Sequence, residues 1–409
     1  MKLNESPVIV VGGGIGGLAL AMGLAQKAIP CVVLEKTPRL GEIGAGIQLA
    51  PNAFHAFDYL GVGDAARDLA VYIDDLLLMD ALTGDRITRI PLGEVFRRRF
   101  RNPYAVVHRS DLHDVLLSAC KDHGLVELRA GSGVERYEQD AQSVTAILES
   151  GKQVKGRGLV GADGLWSTIR QQVAGDGDPR VSGHTTYRSV IPAEQMPEEI
   201  RWNAATLWAG PKCHIVHYPL KGGDAYNLVA TCHNDAPEPI VGKSVGHDEV
   251  RQGFEHIAPI ARQIVDCATH WKLWVLCDRE PIMNWVDDKV CLLGDAAHPM
   301  LQYFAQGACM AMEDAVCLAA EMDSHGTEIG NAFAAYNQRR VLRTTRVQLQ
   351  SRAIGDHIYH PSGAHAALRN AVMSARTPQD WYDQIDWLYG STGLEGAVSA
   401  ETRRAGSGG

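Results

Sequence analysis

The sequence lacks a Cys-x-x-Cys pair, a long apolar run and an excess of positive charge, and each absence excludes a class of protein. Its nine cysteines are scattered singly, which is typical of a reduced cytoplasmic protein and excludes a disulfide framework or a cysteine zinc site. A formal net charge of −9 leaves no basic surface for nucleic acid. The first apolar run stops at glycine after Val11, far too early for a signal peptide or a membrane span. We therefore expect a cytoplasmic protein with no metal, nucleic-acid partner or membrane contact.

The remaining composition is that of an ordinary globular enzyme. Hydrophobic residues make up 45% of the chain and charged residues 21%. The 409 residues exceed one typical domain, and no internal repeat, low-complexity segment or coiled coil is visible. The chain is therefore expected to form two interleaved modules.

The chain opens with a pattern that predicts a nucleotide-binding β-α-β unit. A β-branched strand at 7–11 is followed by Gly12-x-Gly14-x-x-Gly17, a helix and a second strand that ends at Glu35. The glycines allow a tight turn and a close approach of a pyrophosphate to the helix N-terminus, and Glu35 can accept hydrogen bonds from a ribose hydroxyl. The strand, helix and acidic residue favour a dinucleotide site over a plain tight turn, but do not separate FAD from NAD.

The rest of the chain divides into two styles of strand. Further buried, parallel-style strands are predicted at 158–163 and 289–293. Antiparallel strands are predicted at 75–80 and 87–90 and throughout 181–279, where a single helix at 248–268 interrupts them. Long helices are predicted at 308–322 and 329–350. This is an α/β fold with a mostly antiparallel second module.

Two later segments add to the glycine loop. Asp163-Gly164 follows a strand, and Ser167 can cap the helix that contains Arg170, although an ordinary Asp-Gly turn explains this segment if it stands alone. Gly294-Asp295 also follows a strand. Asp295 can reach a ribityl or ribose hydroxyl, and the positive end of the helix that begins near Gly307-Ala308 would stabilise a reduced flavin ring. We expect His298, Glu313 and Asp314 to be structural.

These three segments, in this order, resemble the signatures of the group A flavoprotein monooxygenases, the single-component aromatic-ring hydroxylases. Arg109 matches the arginine that these enzymes place near the flavin. The resemblance extends from Ile9 to about Gln350. It implies a fold like that of para-hydroxybenzoate hydroxylase, noncovalent FAD, NADH or NADPH as electron donor, and O2 as co-substrate. It also implies oxygen transfer from a flavin C4a-hydroperoxide and a homodimer.

The same resemblance suggests how the chain divides into domains. The FAD-binding domain is expected to comprise 1–72, 104–180 and 278–360, and the substrate-binding domain 73–103 and 181–277. Residues 361–409 are expected to form a C-terminal helical segment and tail. The aromatic stretch Thr377–Tyr389 is expected to pack on the flavin module or a second subunit rather than to form an active site.

Shorter motifs indicate the substrate, a small aromatic acid. The segments 41–48, 102–109, 210–220 and 298–303 resemble the branch of the family that hydroxylates 3-hydroxybenzoate to gentisate. Salicylate hydroxylases usually carry Pro-His where this chain has Gln302-Tyr303. The alternatives are salicylate or 6-hydroxynicotinate as substrate and, more distantly, a non-catalytic dinucleotide-binding protein. The Trp-x-Trp-x-Ile-Pro signature of flavin halogenases is absent.

A phenol is attacked by electrophilic oxygen more readily as its phenolate, so the site needs a base. His214 lies in a predicted strand of the second module, and the resemblance places it opposite the substrate hydroxyl; an unperturbed histidine has a pKa of about 6.5. The two-residue strand period puts His217 on the opposite face and Tyr218 on the same face. Gln302 is the second catalytic candidate. The substrate-binding candidates are Tyr218, Tyr104, Gln48 and Tyr303, and no Arg or Lys stands out as a partner for the carboxylate.

Overall fold

The structure is a computed structural model that describes residues 6–41 and 45–394. Residues 42–44 of the predicted 41–48 motif, and 395–409 of the predicted tail, lie outside the described residues. None of the described helices is long and apolar enough to cross a membrane. The strands are β1 (Val8–Val11), β2 (Cys31–Leu34), β3 (Gly46–Leu49), β4 (Val71–Tyr72), β5 (Asp75–Asp80), β6 (Arg86–Pro91), β7 (Ala105–His108), β8 (Val126–Arg129), β9 (Val134–Gln139), β10 (Val144–Leu148), β11 (Gln153–Gly156), β12 (Gly158–Gly161), β13 (Arg180–Pro192), β14 (Ala204–Gly210), β15 (Cys213–Leu220), β16 (Ala225–His233), β17 (Lys243–Gly246), β18 (His270–Asp278), β19 (Val286–Asp287) and β20 (Val290–Leu292).

Long helices flank these strands, and several short 3-10 turns connect them. The turns at Gly294–Ala296 and Gln302–Phe304 and the π-helical turn Gly355–Tyr359 bear on the site. The α-helices are α1 (Ile15–Gln26), α2 (Pro51–Tyr59), α3 (Gly63–Leu69), α4 (Glu94–Phe100), α5 (Arg109–Asp122), α6 (Thr168–Val173), α7 (His247–Gln252), α8 (Pro259–Asp266), α9 (Gly307–His325), α10 (Ile329–Ile354), α11 (Gly363–Ser374) and α12 (Pro378–Tyr389).

The first large sheet is the nucleotide-binding one. Its order is β19-β20-β12-β1-β2-β8, and β1 lies between β12 and β2 with all three strands parallel. Every residue of these three strands is buried, because helices cover the sheet. The predicted α/β fold is confirmed, including its opening β-α-β unit.

The second large sheet has eight strands in the order β17-β18-β13-β16-β15-β14-β5-β6. All neighbours are antiparallel except β14 and β5. Its strands come from 75–91 and from 180–278, so the chain leaves the nucleotide-binding sheet twice to build it. In the ladder His214 lies opposite Ala209 on one side and Thr231 on the other.

The predicted single helix at 248–268 is wrong. The structure has two helices there, α7 and α8, separated by an irregular segment that begins at Gly253. Pro259 is the first residue of α8 and lacks the N–H that a continuous helix needs, and Ala258 before it is extended, with ψ of 147°. Both helices still bury apolar residues against the outer face of the eight-stranded sheet.

The C-terminal helix α12 is anchored at its start and along one face. Thr377 and Asp380 form a capping box at its first turn. Further along, Tyr382 and Tyr389 pack edge-on against Phe96 and Phe100 of α4. Trp381 and Tyr382 also donate hydrogen bonds to Thr88 and Pro91 of β6, which attach α12 to the edge of the eight-stranded sheet.

Candidate active site

One large cavity connects the nucleotide-binding sheet to the eight-stranded sheet. Its volume is about 1160 Å³, above the range of roughly 300–1,000 Å³ typical of a small-ligand pocket. Fifteen of the sixteen predicted site residues line it, and only Gly17 does not. The lining residues among them are Gly12, Gly14, Glu35, Gln48, Tyr104, Arg109, Asp163, His214, Tyr218, Gly294, Asp295, Gln302, Tyr303, Gly307 and Ala308.

The glycine loop forms a turn that side chains would block. Gly12 has a φ of +108°, and a Cβ there would lie 2.3 Å from the carbonyl oxygen of Ala162. A Cβ on Gly17 would lie 2.0 Å from the carbonyl oxygen of Gly12, so Gly17 supports the loop from behind. The loop therefore leaves its backbone open to a pyrophosphate at the start of α1, as a dinucleotide requires.

Glu35 is fixed at the end of β2 by the loop that it faces. Its carboxylate accepts hydrogen bonds from the backbone N–H of Gly13 at 2.7 Å and from the N–H and hydroxyl of Thr37 at 2.8 and 2.9 Å. A carboxylate has about four acceptor positions, so these bonds leave capacity for a ribose hydroxyl.

Asp163 holds the start of α6. Its carboxylate accepts from the Ser167 hydroxyl at 2.6 Å and from the Thr168 N–H at 2.9 Å. Ser167 in turn accepts from the Arg170 N–H, as predicted for a capping residue. Burial raises the pKa of Asp163, and these hydrogen bonds oppose the rise. Its carboxylate thus shapes one wall of the cavity.

The third predicted segment lies beside the glycine loop. Gly294 has a φ of +61°, and this turn directs Asp295 to the cavity. Gly307 and Ala308 form the first turn of α9, where no side chain of the described residues caps the helix. Their N–H groups and the positive end of the helix dipole are therefore available to a ligand with negative charge.

His214 faces the cavity from β15 and is 1% exposed. Its Nδ1 lies 2.8 Å from Nε2 of His360, and no hydrogen bond of its Nε2 is seen within the described residues. Burial, and then the neighbouring His360 and His184, lower its pKa well below the ordinary value of 6.5. His214 is therefore neutral at pH 7 and can accept a proton.

The two faces of β15 differ as predicted. Tyr218 lines the cavity with His214, and its ring lies so close to Gly46 that a Cβ there would be 2.5 Å from the ring. His217 points away from the cavity and packs against Trp202, Trp208 and Tyr226. His214 and Tyr218 are therefore the polar side chains of β15 that can contact a ligand in the cavity.

Gln302 is held at both ends of its amide. Arg188 donates to its Oε1 at 2.7 Å, and its Nε2 donates to the hydroxyls of Thr186 and Thr231 at 3.2 Å each. Since arginine has only donors, this network fixes the orientation of the amide. Thr231 lies opposite His214 in the ladder, so the network ends beside the histidine.

The tyrosines of the prediction are also engaged. The Tyr104 hydroxyl donates to Oε1 of Gln48 at 2.6 Å. The Tyr303 hydroxyl is hydrogen-bonded to Nδ1 of His184, and the Tyr303 ring packs edge-on against His214. Tyr303 therefore contacts both His184 and His214 in addition to lining the cavity.

The structure adds Arg188 to the site, which the sequence analysis missed. Its guanidinium lies over Trp274, 5.3 Å from the ring centroid, and within the described residues the charged groups that act on it are Arg109 and Tyr218, with no carboxylate among them. Burial and the nearby Arg109 lower its pKa. A half-buried cation on the cavity wall with no carboxylate partner among the described residues favours an anionic ligand in the cavity. The sequence did contain an indication of this. Arg188 lies two residues after Thr186 in a strand, so both side chains lie on the same, inward face of the sheet.

The C-terminal aromatic segment was expected to pack rather than to form an active site; it does pack, and it also lines the cavity. Trp381, Gln384, Trp387 and Tyr389 of α12 line the cavity. The same helix packs on α4, so α12 both contacts the rest of the chain and forms part of the cavity wall. The amphipathic pattern correctly indicated packing but could not show which side of the helix met a cavity.

A nucleotide-binding glycine loop and a histidine-bearing sheet that share one cavity define a flavin-dependent hydroxylase of aromatic rings. The chain matches the FAD binding domain family over residues 5–351 and belongs to that family. It is a group A flavoprotein aromatic monooxygenase with FAD as cofactor and O2 as co-substrate.

Named relatives and a solved structure cover nearly the whole chain. It is 55% identical to 3-hydroxybenzoate 6-hydroxylase 1 of Aquipseudomonas alcaligenes, over 95% of this chain and 98% of that protein. It is 49% identical to 3-hydroxybenzoate 6-hydroxylase of Polaromonas naphthalenivorans (strain CJ2), over 94% and 96%. The crystal structure of Klebsiella pneumoniae HpxO complexed with FAD and uric acid matches with a TM-score of 0.83 and 25% identity, over 95% and 98%.

The buried histidines predict a steep loss of stability in acid. Burial lowers the pKa of His184 to about 4 and the pKa values of His217 and His360 to about 3, whereas unfolded histidines titrate near pH 6.5. Below pH 6.5 the unfolded chain therefore binds more protons, and each histidine lowers the free energy of unfolding by up to about 1.4 kcal/mol per pH unit. Urea unfolding with saturating FAD, measured between pH 8 and 4.5, should show this decline.

His217→Phe provides the matched control for this decline. Neither ring nitrogen of His217 has a hydrogen-bond partner in the described part of the chain, and the residue lies outside the cavity. Unfolding of the variant in acid should take up about one proton fewer than unfolding of the parent. The free energy of unfolding of the variant at pH 8 should not fall. An unchanged pH slope in this variant would contradict the explanation.

Proposed function

We propose that the protein uses NADH and O2 to hydroxylate 3-hydroxybenzoate para to its hydroxyl, giving gentisate (2,5-dihydroxybenzoate). The observation that carries the proposal is a neutral histidine, His214, on the wall of a cavity that also contains Arg188, a half-buried cation with no carboxylate partner among the described residues. A phenol that bears a carboxylate complements both groups. The relatives named 3-hydroxybenzoate 6-hydroxylase support the same substrate.

When bound, FAD supplies the electrophilic oxygen after reduction by NADH and reaction with O2. The protein prepares the ring that receives it. Nε2 of His214 takes the phenol proton, and the phenolate pushes electron density to its ortho and para carbons. Because burial keeps His214 neutral, the base is available at pH 7 and well below it.

The other end of the substrate needs a partner for its carboxylate. Arg188 and the Tyr218 hydroxyl both lie on the cavity wall, and both are on the inward face of the eight-stranded sheet with His214. We assign the carboxylate to this side. Gln302 holds Arg188 and the Thr231 hydroxyl in place, and so orients the wall around the substrate ring.

The apolar residues of the same wall exclude water from the reacting oxygen. Between these polar groups the sheet presents Leu76, Leu78, Leu207 and Val216 to the cavity. A dry site limits the side reaction in which reduced flavin and O2 yield H2O2. The proposal also includes a cytoplasmic homodimer, on the family resemblance and the scattered cysteines alone.

A substrate panel tests the proposal. Purified holoenzyme is incubated with NADH and air and, in turn, with 3-hydroxybenzoate, 4-hydroxybenzoate, salicylate and 6-hydroxynicotinate, and each product is identified by mass spectrometry and NMR. We expect NADH oxidation to be fastest with 3-hydroxybenzoate and to yield gentisate in near-equal amount to NADH. Catechol from salicylate as the main product would overturn the substrate, and no substrate-stimulated NADH oxidation would overturn the activity.

A further inference from the structure

The side chain that contacts the proposed base is His360, at the end of the π-helical turn. Its Nε2 lies 2.8 Å from Nδ1 of His214, although the two residues are 146 positions apart in the chain. Nδ1 of His360 is buried and has no partner within the described residues, so the bond to His214 is the one that holds this ring. The two imidazoles therefore share one hydrogen bond with nothing competing for it.

The backbone, not the ring, fixes the position of His360. Its N–H donates to the carbonyl of Gly355 at 3.0 Å, and its carbonyl accepts from the N–H of Lys212 at 3.4 Å. Lys212 is two residues before His214, so the turn is tied directly to the start of β15. A change of the His360 side chain should therefore leave the turn in place.

We propose that His360 is the proton-sharing partner of His214, a positioning residue that sets the tautomer of the base and takes its Nδ1 proton. This rests on the proposed function, in which Nε2 of His214 receives the phenol proton. A neutral imidazole has one donor and one acceptor nitrogen, so an Nδ1–H that donates to His360 leaves Nε2 of His214 as an acceptor toward the cavity.

The proton balance of the step is simple. The O–H bond of the phenol breaks and an N–H bond forms at Nε2 of His214. The Nδ1–H bond of His214 breaks and an N–H bond forms at Nε2 of His360. Phenolate and a short-lived imidazolium on His360 result, with no change in oxidation state. The positive charge thus moves from His214 to His360, and the ring of His214 returns to its neutral form. Burial and the neighbouring histidines lower the pKa of His360, so His360 passes this proton on and does not hold it.

The groups that face His360 come from four elements. His214 faces it from β15, His184 from β13 with ring centroids 5.1 Å apart, and Tyr303 from the 302–304 turn at 5.6 Å. His233 of β16 acts on it electrostatically, and Tyr359 precedes it. None of these groups is a carboxylate, so no ion pair with them stabilises the protonated form of His360. His184 lies 4.3 Å, between ring centroids, from the partly exposed His233, which leads toward solvent.

Two substitutions separate proton sharing from packing. His360→Phe keeps a ring but no hydrogen bond, and His360→Gln keeps an acceptor for Nδ1–H but cannot take a proton. His365→Asn, an exposed histidine of α11 that does not line the cavity, is the matched control. Each holoenzyme is tested for FAD content, for the phenolate absorbance of bound 3-hydroxybenzoate at pH 7, and for single-turnover hydroxylation.

We expect both His360 variants to retain FAD, to bind less of the ligand as phenolate, and to hydroxylate about 10- to 100-fold more slowly, below the roughly 10²–10⁴-fold effect of a direct acid–base group. The control should match the parent. Parent-like phenolate absorbance and rate in His360→Phe, or full recovery in His360→Gln, would overturn proton sharing. If His214→Ala is also without effect, the failure belongs to the proposed function and not to the dyad alone.

Discussion

His214→Ala is expected to slow hydroxylation about 10²- to 10⁴-fold, the usual contribution of a general base. The reason is local: His214 lines the cavity, its Nδ1 is bonded to His360, and burial keeps its ring neutral, so Nε2 is the nitrogen that can receive the phenol proton. The variant should still bind FAD, because the glycine loop, Asp295 and the start of α9 lie on other elements. NADH oxidation should continue, with H2O2 replacing much of the product.

The measurement is rapid mixing of reduced holoenzyme with O2 and substrate, followed by product and H2O2 quantification. The matched control is His217→Phe, on the same strand but on the opposite face, which should hydroxylate like the parent. Equal product yield from His214→Ala and the parent would remove His214 from the reaction. Loss of FAD from His214→Ala would show a structural role instead.

Local patterns in the sequence predicted the parts of the fold that local physics decides. The β1-α1-β2 unit follows from a buried β-branched run and glycines that need positive φ or close backbone approach, such as Gly12. The strand period of two correctly separated His214 and Tyr218 from His217. The alternation of side chains holds along the whole of β15, because the described pairing of this strand contains no bulge.

The missed parts of the site depend on long-range packing. His360 meets His214 through a turn that follows a 26-residue helix, α10, and no periodicity encodes where that helix ends. Arg188 becomes notable only because no carboxylate lies beside it among the described residues, which a sequence cannot reveal. The wall formed by α12 depends on how a C-terminal helix docks on α4. The prediction of one helix at 248–268 was wrong for a different reason. Gly253 and Pro259 are local indications of a helix break, and the apolar pattern outweighed them.

A second large effect is expected behind the cofactor cavity, where Arg340→Met should lower the free energy of unfolding by about 3–5 kcal/mol. Arg340 of α10 donates to Asp314 at 2.7 Å and to Glu313 at 2.6 Å, and all three side chains are buried. Burial alone would raise the pKa values of both carboxyls. Arg340 and Arg343 lower that of Glu313, and His298 with Arg340 lowers that of Asp314 to about 2. Without Arg340 the two charges are undercompensated in an apolar interior.

This network also reaches the cofactor. Asp314 accepts from the Gly294 N–H at 3.2 Å and from Nε2 of His298, so it holds the turn that presents Asp295 to the cavity. Arg340→Met should therefore weaken FAD retention as well as stability. Both are measured on one sample, by urea unfolding and by flavin fluorescence after gel filtration.

The control for Arg340 is its neighbour Arg339, which pairs with Glu321 at a partly exposed position. Arg339→Met should cost no more than about 1 kcal/mol, because water compensates both charges when the pair is broken. Adding Asp314→Asn to Arg340→Met removes the negative charge that loses its arginine partner and should restore part of the lost stability, whereas Glu313 keeps its pairing with Arg343. If Arg339→Met and Arg340→Met cost the same, or if Asp314→Asn worsens the loss, then buried charge is not what makes Arg340 necessary, and its packing against α9 is.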